Sequence, residues 1–171
     1  MVDRRKDLVT MEGNPITLLG KEVRVGDTAP DFSVLTKDME GYSLKDAGDK
    51  IKIISVVPSL DTGVCEYQTI RFNQAASDLD DVVILTISVD LPFAQNRFCS
   101  TNGIDKVITL SDHRDLDFGM NYGFVIEELR LLSRGIVVLD KGNMVKHVEY
   151  VREVTEHPDY DKALDQVKQM L

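Results

Sequence analysis

Short apolar runs separated by polar turns predict a series of β-strands. The run at residues 52–57, Lys-Ile-Ile-Ser-Val-Val, is rich in β-branched residues and ends at Pro58, which is typical of a buried central strand. Further runs that predict strands lie at residues 31–35, 82–90 and 107–110. The pattern therefore predicts a sheet with buried central strands.

Two turn sequences predict β-hairpins near opposite ends of the chain. Gly-Asn-Pro at residues 13–15 interrupts the apolar segment 9–19. Asp-Lys-Gly-Asn at residues 140–143 interrupts a second such segment, 135–151. The second hairpin predicts an antiparallel edge, which makes the main sheet mixed.

Helical periodicity lies between and after these strands. One set of residues recurs at intervals of three and four: Cys65, Thr69, Phe72, Ala76 and Leu79. Pro92, typical of a first helical turn, and Gly103, typical of a helix end, bracket a second helix that contains Cys99. A short helix is predicted near residues 115–122, and a closing helix at 159–171.

The order of these elements defines the fold class. Alternating apolar strands and helices favour an α/β structure with helices on both faces of the sheet. No linker-like stretch, internal repeat or low-complexity segment divides the 171 residues. We therefore expect one domain over residues 1–171.

Composition narrows the range of partners. The chain has 20 basic and 29 acidic residues and a formal net charge of −9. Nucleic-acid binding depends on clustered Lys and Arg, so nucleic acid is not an expected partner. No apolar run approaches the roughly 20 residues that cross a bilayer, and the N-terminus leads into no apolar secretory segment. We expect a cytoplasmic protein with no membrane partner.

The cysteines and histidines limit the redox and metal chemistry. Cys65 and Cys99 are the only cysteines, and they form no CxxC pair. A reducing cytoplasm disfavours a permanent structural disulfide but allows a transient catalytic one. His113, His147 and His157 are far apart and show no zinc-site spacing. The sequence therefore predicts no metal and no cofactor.

The segment from Pro58 to Cys65 carries the main candidate chemistry. Cys65 is predicted to begin a helix, where unpaired backbone N–H groups and the positive end of the helix dipole favour the reactive thiolate. Thr62 lies one turn earlier, where its hydroxyl can bond the sulfur or an incoming oxygen. Pro58 lacks an N–H and can wall off one side of the pocket from water.

Each candidate also has a structural interpretation. Free cysteines are among the most buried residues and often behave as small apolar side chains, which applies to Cys65 and to Cys99. Thr62 alone is typical of a turn or a helix cap. A lone arginine such as Arg134 most often forms an ordinary salt bridge.

Taken together, the motifs resemble the peroxiredoxins. The pattern Pro-x-x-x-Thr-x-x-Cys, present as Pro58, Thr62 and Cys65, matches the active-site signature of that family. The string Ser-Val-Asp-Leu-Pro-Phe-Ala-Gln-Asn-Arg-Phe-Cys at residues 88–99 and the position of Arg134 before Gly-Ile-Val-Val-Leu-Asp look like the bacterial thiol peroxidases within it. The similarity extends over most of the chain.

The resemblance implies a fold and a set of roles. The fold is a thioredoxin-like three-layer α/β structure, with a mixed central sheet flanked by helices and an N-terminal β-hairpin. Cys65 is the peroxidatic cysteine, and Cys99 of the same chain resolves it, the arrangement known as atypical two-cysteine. Arg134 stabilises the thiolate and holds peroxide oxygens, while Thr62 orients the peroxide proton.

The resemblance also implies substrates and partners. They are hydrogen peroxide and organic hydroperoxides, thioredoxin as electron donor, and a second copy in a homodimer. Leu91, Phe93 and Phe98 either line an apolar mouth for alkyl hydroperoxides or belong to the core. An alternative function is a peroxide-sensing redox switch, in which the same two cysteines alter a partner surface. A disulfide oxidoreductase is disfavoured because CxxC is absent.

Overall fold

The computed structural model describes residues 2–171, which form two sheets and four α-helices. The strands are β1 (Arg4–Met11), β2 (Asn14–Leu19), β3 (Ser33–Thr36), β4 (Gly41–Ser43), β5 (Ile51–Val56), β6 (Val82–Ser88), β7 (Ile108–Ser111), β8 (Val125–Ile126), β9 (Leu131–Leu132), β10 (Gly135–Leu139) and β11 (Val145–Tyr150). The helices are α1 (Gly63–Ala76), α2 (Pro92–Asn102), α3 (Asp117–Tyr122) and α4 (Tyr160–Lys168), with a 3-10 turn at Leu44–Ala47.

A seven-stranded mixed sheet lies at the centre, in the order β11-β10-β5-β6-β7-β3-β4. The strands β5, β6 and β7 are parallel, with a helix in each connection, and the other neighbours are antiparallel. Every residue of β5 is buried, which confirms the predicted central strand. The hairpin of β10 and β11 provides the predicted antiparallel edge.

Helices cover both faces of this sheet. Buried residues of α1, α2 and α4 form one apolar cluster with Ile51 and Ile53 of β5. Residues of α3 join the cluster on the opposite face, which contains Ile54 and Val56 of the same strand. Successive side chains of a strand point to opposite faces, so the sheet is the middle of three layers. The expected α/β class and layer order are confirmed.

The predicted N-terminal hairpin is present as β1 and β2, and it belongs to a second sheet. β8 pairs with β2 and β9 pairs with β8, which gives the order β1-β2-β8-β9. The sequence pattern does not predict β4, β8 or β9. Each has only two or three residues, too few to show an alternating pattern.

The ends of the elements follow local signals, with small differences from the prediction. Pro92 lies in the first turn of α2, and Gly103 ends that helix in a left-handed conformation with φ of 64°. α1 ends at Ala76, so Leu79 lies beyond the helix, where it still packs against the core. β6 ends at Ser88, two residues before the end of the predicted run. Across residues 2–171 no helix has the length and apolar character needed to cross a membrane.

Candidate active site

Cys65 is the third residue of α1, the helix that follows β5 after a short loop. Thr62 is the N-cap of this helix, and its hydroxyl oxygen accepts a hydrogen bond from the Cys65 backbone N–H at 3.4 Å. The unpaired N–H groups and the helix dipole make this end of α1 electropositive. The predicted placement of Cys65 at a helix start is therefore what the structure has.

The Cys65 sulfur is fully buried and has one charged neighbour. It accepts a hydrogen bond from Nη2 of Arg134 at 3.1 Å. Arg134 immediately precedes β10, 69 residues further along the chain, and is only 2% exposed. The N-terminal end of α1 and the guanidinium of Arg134 both stabilise a negative charge on the sulfur, so the geometry suits a thiolate nucleophile.

Arg134 is held by neutral groups. Its Nε donates to the carbonyl of Val154 at 2.7 Å, and its Nη1 donates to Oε1 of Gln68 at 3.0 Å. None of the ion pairs between described residues involves Arg134. Its positive charge is therefore not neutralised by a carboxylate and acts on the sulfur, in contrast to the ordinary salt bridge expected of a lone arginine.

Gln68 is a site residue that the sequence analysis missed. It lies one turn after Cys65 on α1 and is fully buried. Its Nε2 donates to the Ser55 hydroxyl at 2.7 Å, so the amide is held between the end of β5 and the guanidinium. A polar residue three positions after the cysteine, on the predicted buried face of the helix, is the signal that could have found it.

Thr62 and Pro58 lie at the edge of the site. The Thr62 side chain is exposed, and its hydroxyl also donates to the carbonyl of Ser59 at 3.4 Å. In the described part of the chain this hydroxyl bonds backbone groups and makes no hydrogen bond to the sulfur, as expected for a helix cap. Pro58 is buried just after β5.

Cys99 lies in the last turn of α2 and is also buried. Its sulfur lies 3.7 Å from the hydroxyl oxygen of Thr109 on β7. Both cysteines are free thiols, and they belong to the same apolar cluster on one face of the sheet. The structure thus brings the two predicted cysteines to the same layer but gives them different polar neighbours.

The three apolar residues predicted to line either a substrate mouth or the core differ in exposure. Phe98 belongs to the core, whereas Leu91 and Phe93 are 52% and 69% exposed.

The exposed ring of Tyr67 packs against the His157 ring in a T-shaped arrangement, with the ring centroids 4.9 Å apart. His157 Nδ1 lies 2.9 Å from the hydroxyl oxygen of Tyr160. Burial raises the pKa of Tyr160 to about 12.

Within residues 2–171, no three Cys, His, Asp or Glu side chains lie together as metal ligands do.

These features define a class of protein: a three-layer α/β fold with a buried cysteine at a helix start, beside an uncompensated arginine. A family profile described as Redoxin matches residues 24–164. Thiol peroxidase of Oceanobacillus iheyensis is 59% identical over 91% of this chain and 95% of the relative. Thiol peroxidase of Bacillus subtilis is 56% identical over 95% and 98%.

A solved structure supports the same assignment. The crystal structure of a peroxiredoxin-like protein from Aquifex aeolicus is 39% identical, covers 99% of both chains and superposes with a TM-score of 0.90. The chain therefore belongs to the redoxin family, among the peroxiredoxin-type thiol peroxidases. The thioredoxin-like fold and the peroxiredoxin class of enzyme expected from the sequence are confirmed.

Proposed function

We propose that the protein reduces hydrogen peroxide and organic hydroperoxides to water and alcohols, with Cys65 as the peroxidatic cysteine. One observation carries this proposal. The buried sulfur of Cys65, at the start of α1, lies 3.1 Å from the guanidinium of Arg134. Such a sulfur is stabilised as a thiolate, and its burial restricts it to small or slender reactants. The family of the chain supports the same chemistry.

In the first step, the Cys65 thiolate attacks the nearer oxygen of R–O–O–H. A sulfur–oxygen bond forms, the oxygen–oxygen bond breaks, and the alkoxide leaves and takes a proton. Negative charge moves from the sulfur to the leaving oxygen, so a fixed guanidinium beside this path stabilises the transition state. We assign that role to Arg134, the orientation of the peroxide proton to Thr62, and the exclusion of water to Pro58.

In the second step, the Cys99 thiol attacks the Cys65 sulfenic acid, which gives an intrachain disulfide and water. Arg134 directly precedes β10, and Thr109 belongs to β7, so the strands beside the two sulfurs are separated by β5 and β6. Both cysteines are free thiols on different helices, and a disulfide requires Cα atoms within about 7 Å, so we propose that α1 and α2 rearrange locally before the bond forms.

Thioredoxin then reduces the disulfide and restores both thiols. We propose thioredoxin as the donor because the family supports a donor of this kind. Homodimerisation, a cytoplasmic location and a single domain over residues 1–171 stay predictions from the resemblance and the composition.

The test is a steady-state assay of peroxide consumption with thioredoxin, its reductase and a nicotinamide reductant. The wild type should turn over hydrogen peroxide and an organic hydroperoxide, and Cys65→Ser should abolish turnover of both. Cys99→Ser should be oxidised once at Cys65 and then fail to cycle with thioredoxin. Mass spectrometry of peroxide-treated wild type should find the intrachain link between the two cysteines.

Two outcomes would contradict the proposal. Activity retained by Cys65→Ser would remove that residue from the reaction. A wild type that is oxidised once and stalls in the presence of the thioredoxin system would favour the redox switch.

A further inference from the structure

The carboxylate of Asp90 joins the loop before Cys65 to the end of β6. Its Oδ1 accepts from the Ser59 hydroxyl at 2.8 Å, and its Oδ2 accepts from the Leu60 backbone N–H at 2.7 Å. The Ser59 hydroxyl oxygen in turn accepts from the backbone N–H of Asp61 at 3.2 Å. Asp90 therefore fixes the loop that leads into the Thr62 cap and the first turn of α1.

The same carboxylate is connected to the helix that carries Cys99. Oδ2 of Asp90 accepts from the Ser88 hydroxyl at 2.8 Å, and the Ser88 oxygen accepts from Nε2 of Gln95 at 3.1 Å. Gln95 is fully buried in α2, one turn before Cys99, and its Nε2 also donates to the carbonyl of Leu110 at 2.8 Å. One chain of hydrogen bonds thus extends from the Cys65 loop to the Cys99 helix.

We propose that Asp90 is a positioning residue that holds the Cys65 loop and the Cys99 helix in the peroxide-reactive arrangement, and that breaking its hydrogen bonds is part of the resolving step. The Asp90 network consists of Ser59, Leu60, Ser88, Asp90 and Gln95. The inference rests on the proposed function, because it concerns how the Cys65 sulfenic acid and the Cys99 thiol meet.

The physical reason lies in where the network is attached. In the proposed resolving step, the first turn of α1 and part of α2 leave their positions so that Cys65 and Cys99 can meet. Hydrogen bonds to a carboxylate are stronger than those between neutral groups, so the bonds from Ser59 and Leu60 oppose movement of the loop. The bond between Ser88 and Gln95 opposes movement of α2 in the same way.

The stability of the network therefore influences which of two reactions consumes the sulfenic acid. In one reaction Cys99 attacks it, and a disulfide and water are formed. In the other, a second peroxide transfers an oxygen to it, and a sulfinic acid and an alcohol are formed. A tighter network prolongs the life of the sulfenic acid and favours the second reaction, while a looser network favours the disulfide.

Asp90→Asn tests this inference, because it removes the negative charge that strengthens these hydrogen bonds and leaves one acceptor oxygen in place of two. Asp61→Asn is the matched control: it removes a carboxylate from the same exposed loop, and no hydrogen bond or ion pair of that side chain occurs within residues 2–171. Peroxide-treated samples are quenched by alkylation at successive times, and the thiol, sulfenic, disulfide and sulfinic forms are separated by mass.

Asp90→Asn should form the disulfide about tenfold faster from the sulfenic acid, a change that corresponds to the loss of one charged hydrogen bond. At high peroxide its sulfinic fraction should fall by a similar factor, while the first oxidation of Cys65 becomes slower. Asp61→Asn should match the wild type within about twofold, as expected where no hydrogen bond is lost.

Ser88→Ala removes the Ser88 hydrogen bonds to Asp90 and Gln95 but leaves those of Ser59 and Leu60 to Asp90, and it should shift the same partition in the same direction by a smaller factor. Ser88→Ala also provides the test of the network if Asp90→Asn fails to fold. An unchanged ratio of disulfide to sulfinic acid in the folded variant would overturn the role of Asp90. A wild type that forms neither species would instead overturn the proposed peroxidase function, so the two failures are distinguishable.

Discussion

Cys65 and Cys99 are both buried thiols of one apolar cluster, yet their electrostatic surroundings are opposite. Cys65 lies in the first turn of α1, where the helix dipole is positive, and its sulfur accepts from a guanidinium. Cys99 lies in the last turn of α2, where the dipole is negative, and its sulfur lies 3.7 Å from the neutral hydroxyl of Thr109. The two sulfurs therefore differ in their position along a helix and in the presence of a charged neighbour, whereas both are buried.

This difference matches the two proposed roles. A negative charge is stabilised on the Cys65 sulfur, which is the requirement for attack on a peroxide. Cys99 lacks both of these supports, since it lies in the last turn of α2 and its polar contact is the neutral Thr109 hydroxyl, so we expect it to react less readily with the oxidant than Cys65. In the proposed mechanism it attacks the electrophilic sulfur of the Cys65 sulfenic acid once the two cysteines come within reach.

The largest expected effect comes from removing the buried charge. Arg134→Met keeps an unbranched side chain of fair length but takes the guanidinium from the Cys65 sulfur. The rate of Cys65 oxidation by hydrogen peroxide should fall about 100-fold, the usual effect of deleting a group that stabilises developing charge. The rate is measured by rapid quenching and mass analysis at several peroxide concentrations, in a Cys99→Ser background so that only one cysteine reacts.

Arg152→Met is the control, since Arg152 is exposed and its side chain has no hydrogen bond within the described residues. Thermal unfolding of both variants separates a loss of reactivity from a loss of structure. If a folded Arg134→Met protein reacts at the wild-type rate, the guanidinium does not distinguish Cys65 from Cys99.

A smaller effect is expected from Gln68, which contacts the guanidinium and not the sulfur. Gln68→Glu places a carboxylate 3.0 Å from Arg134 Nη1, where it would neutralise the charge that acts on Cys65. Oxidation of Cys65 should slow by about tenfold, comparable with the loss of one charged hydrogen bond.

Gln74→Glu adds the same charge to an exposed position of the same helix and should leave the rate unchanged. Equal effects of the two substitutions would mean that net charge on α1, and not the buried contact with Arg134, controls the reaction.

The sequence predicts the Cys65 side of this site better than the Arg134 side. Cys65 and Thr62 are found by local signals, because a strand end, a proline, a cap and a helix start follow one another within a few residues. The bounds of α2 follow in the same way from Pro92 and Gly103. Arg134 carries no local signal, and only the resemblance to a family assigned it to the site.

The residues that sequence analysis missed make their contacts across the fold. Gln68 joins Ser55 to Arg134, and Asp90 joins Ser59 to Ser88 and through it to α2. Such contacts depend on strand order and on the faces that elements turn toward each other, which apolar periodicity does not specify. For the same reason the sequence does not predict the two-residue strands β8 and β9, since β8 exists only by pairing with β2, and β9 only by pairing with β8.

The smallest expected effect tests the Cys99 side. Thr109→Val replaces the hydroxyl that lies 3.7 Å from the Cys99 sulfur with a methyl group of similar size. A thiol is a weak donor and this neighbour is neutral, so Cys65 oxidation and disulfide formation should each change by less than about twofold. Both rates come from quenched time courses of the kind used for Asp90→Asn, in protein that keeps both cysteines. A tenfold change in either rate would mean that Thr109 controls the state of Cys99, and the passive character assigned to that thiol would be wrong.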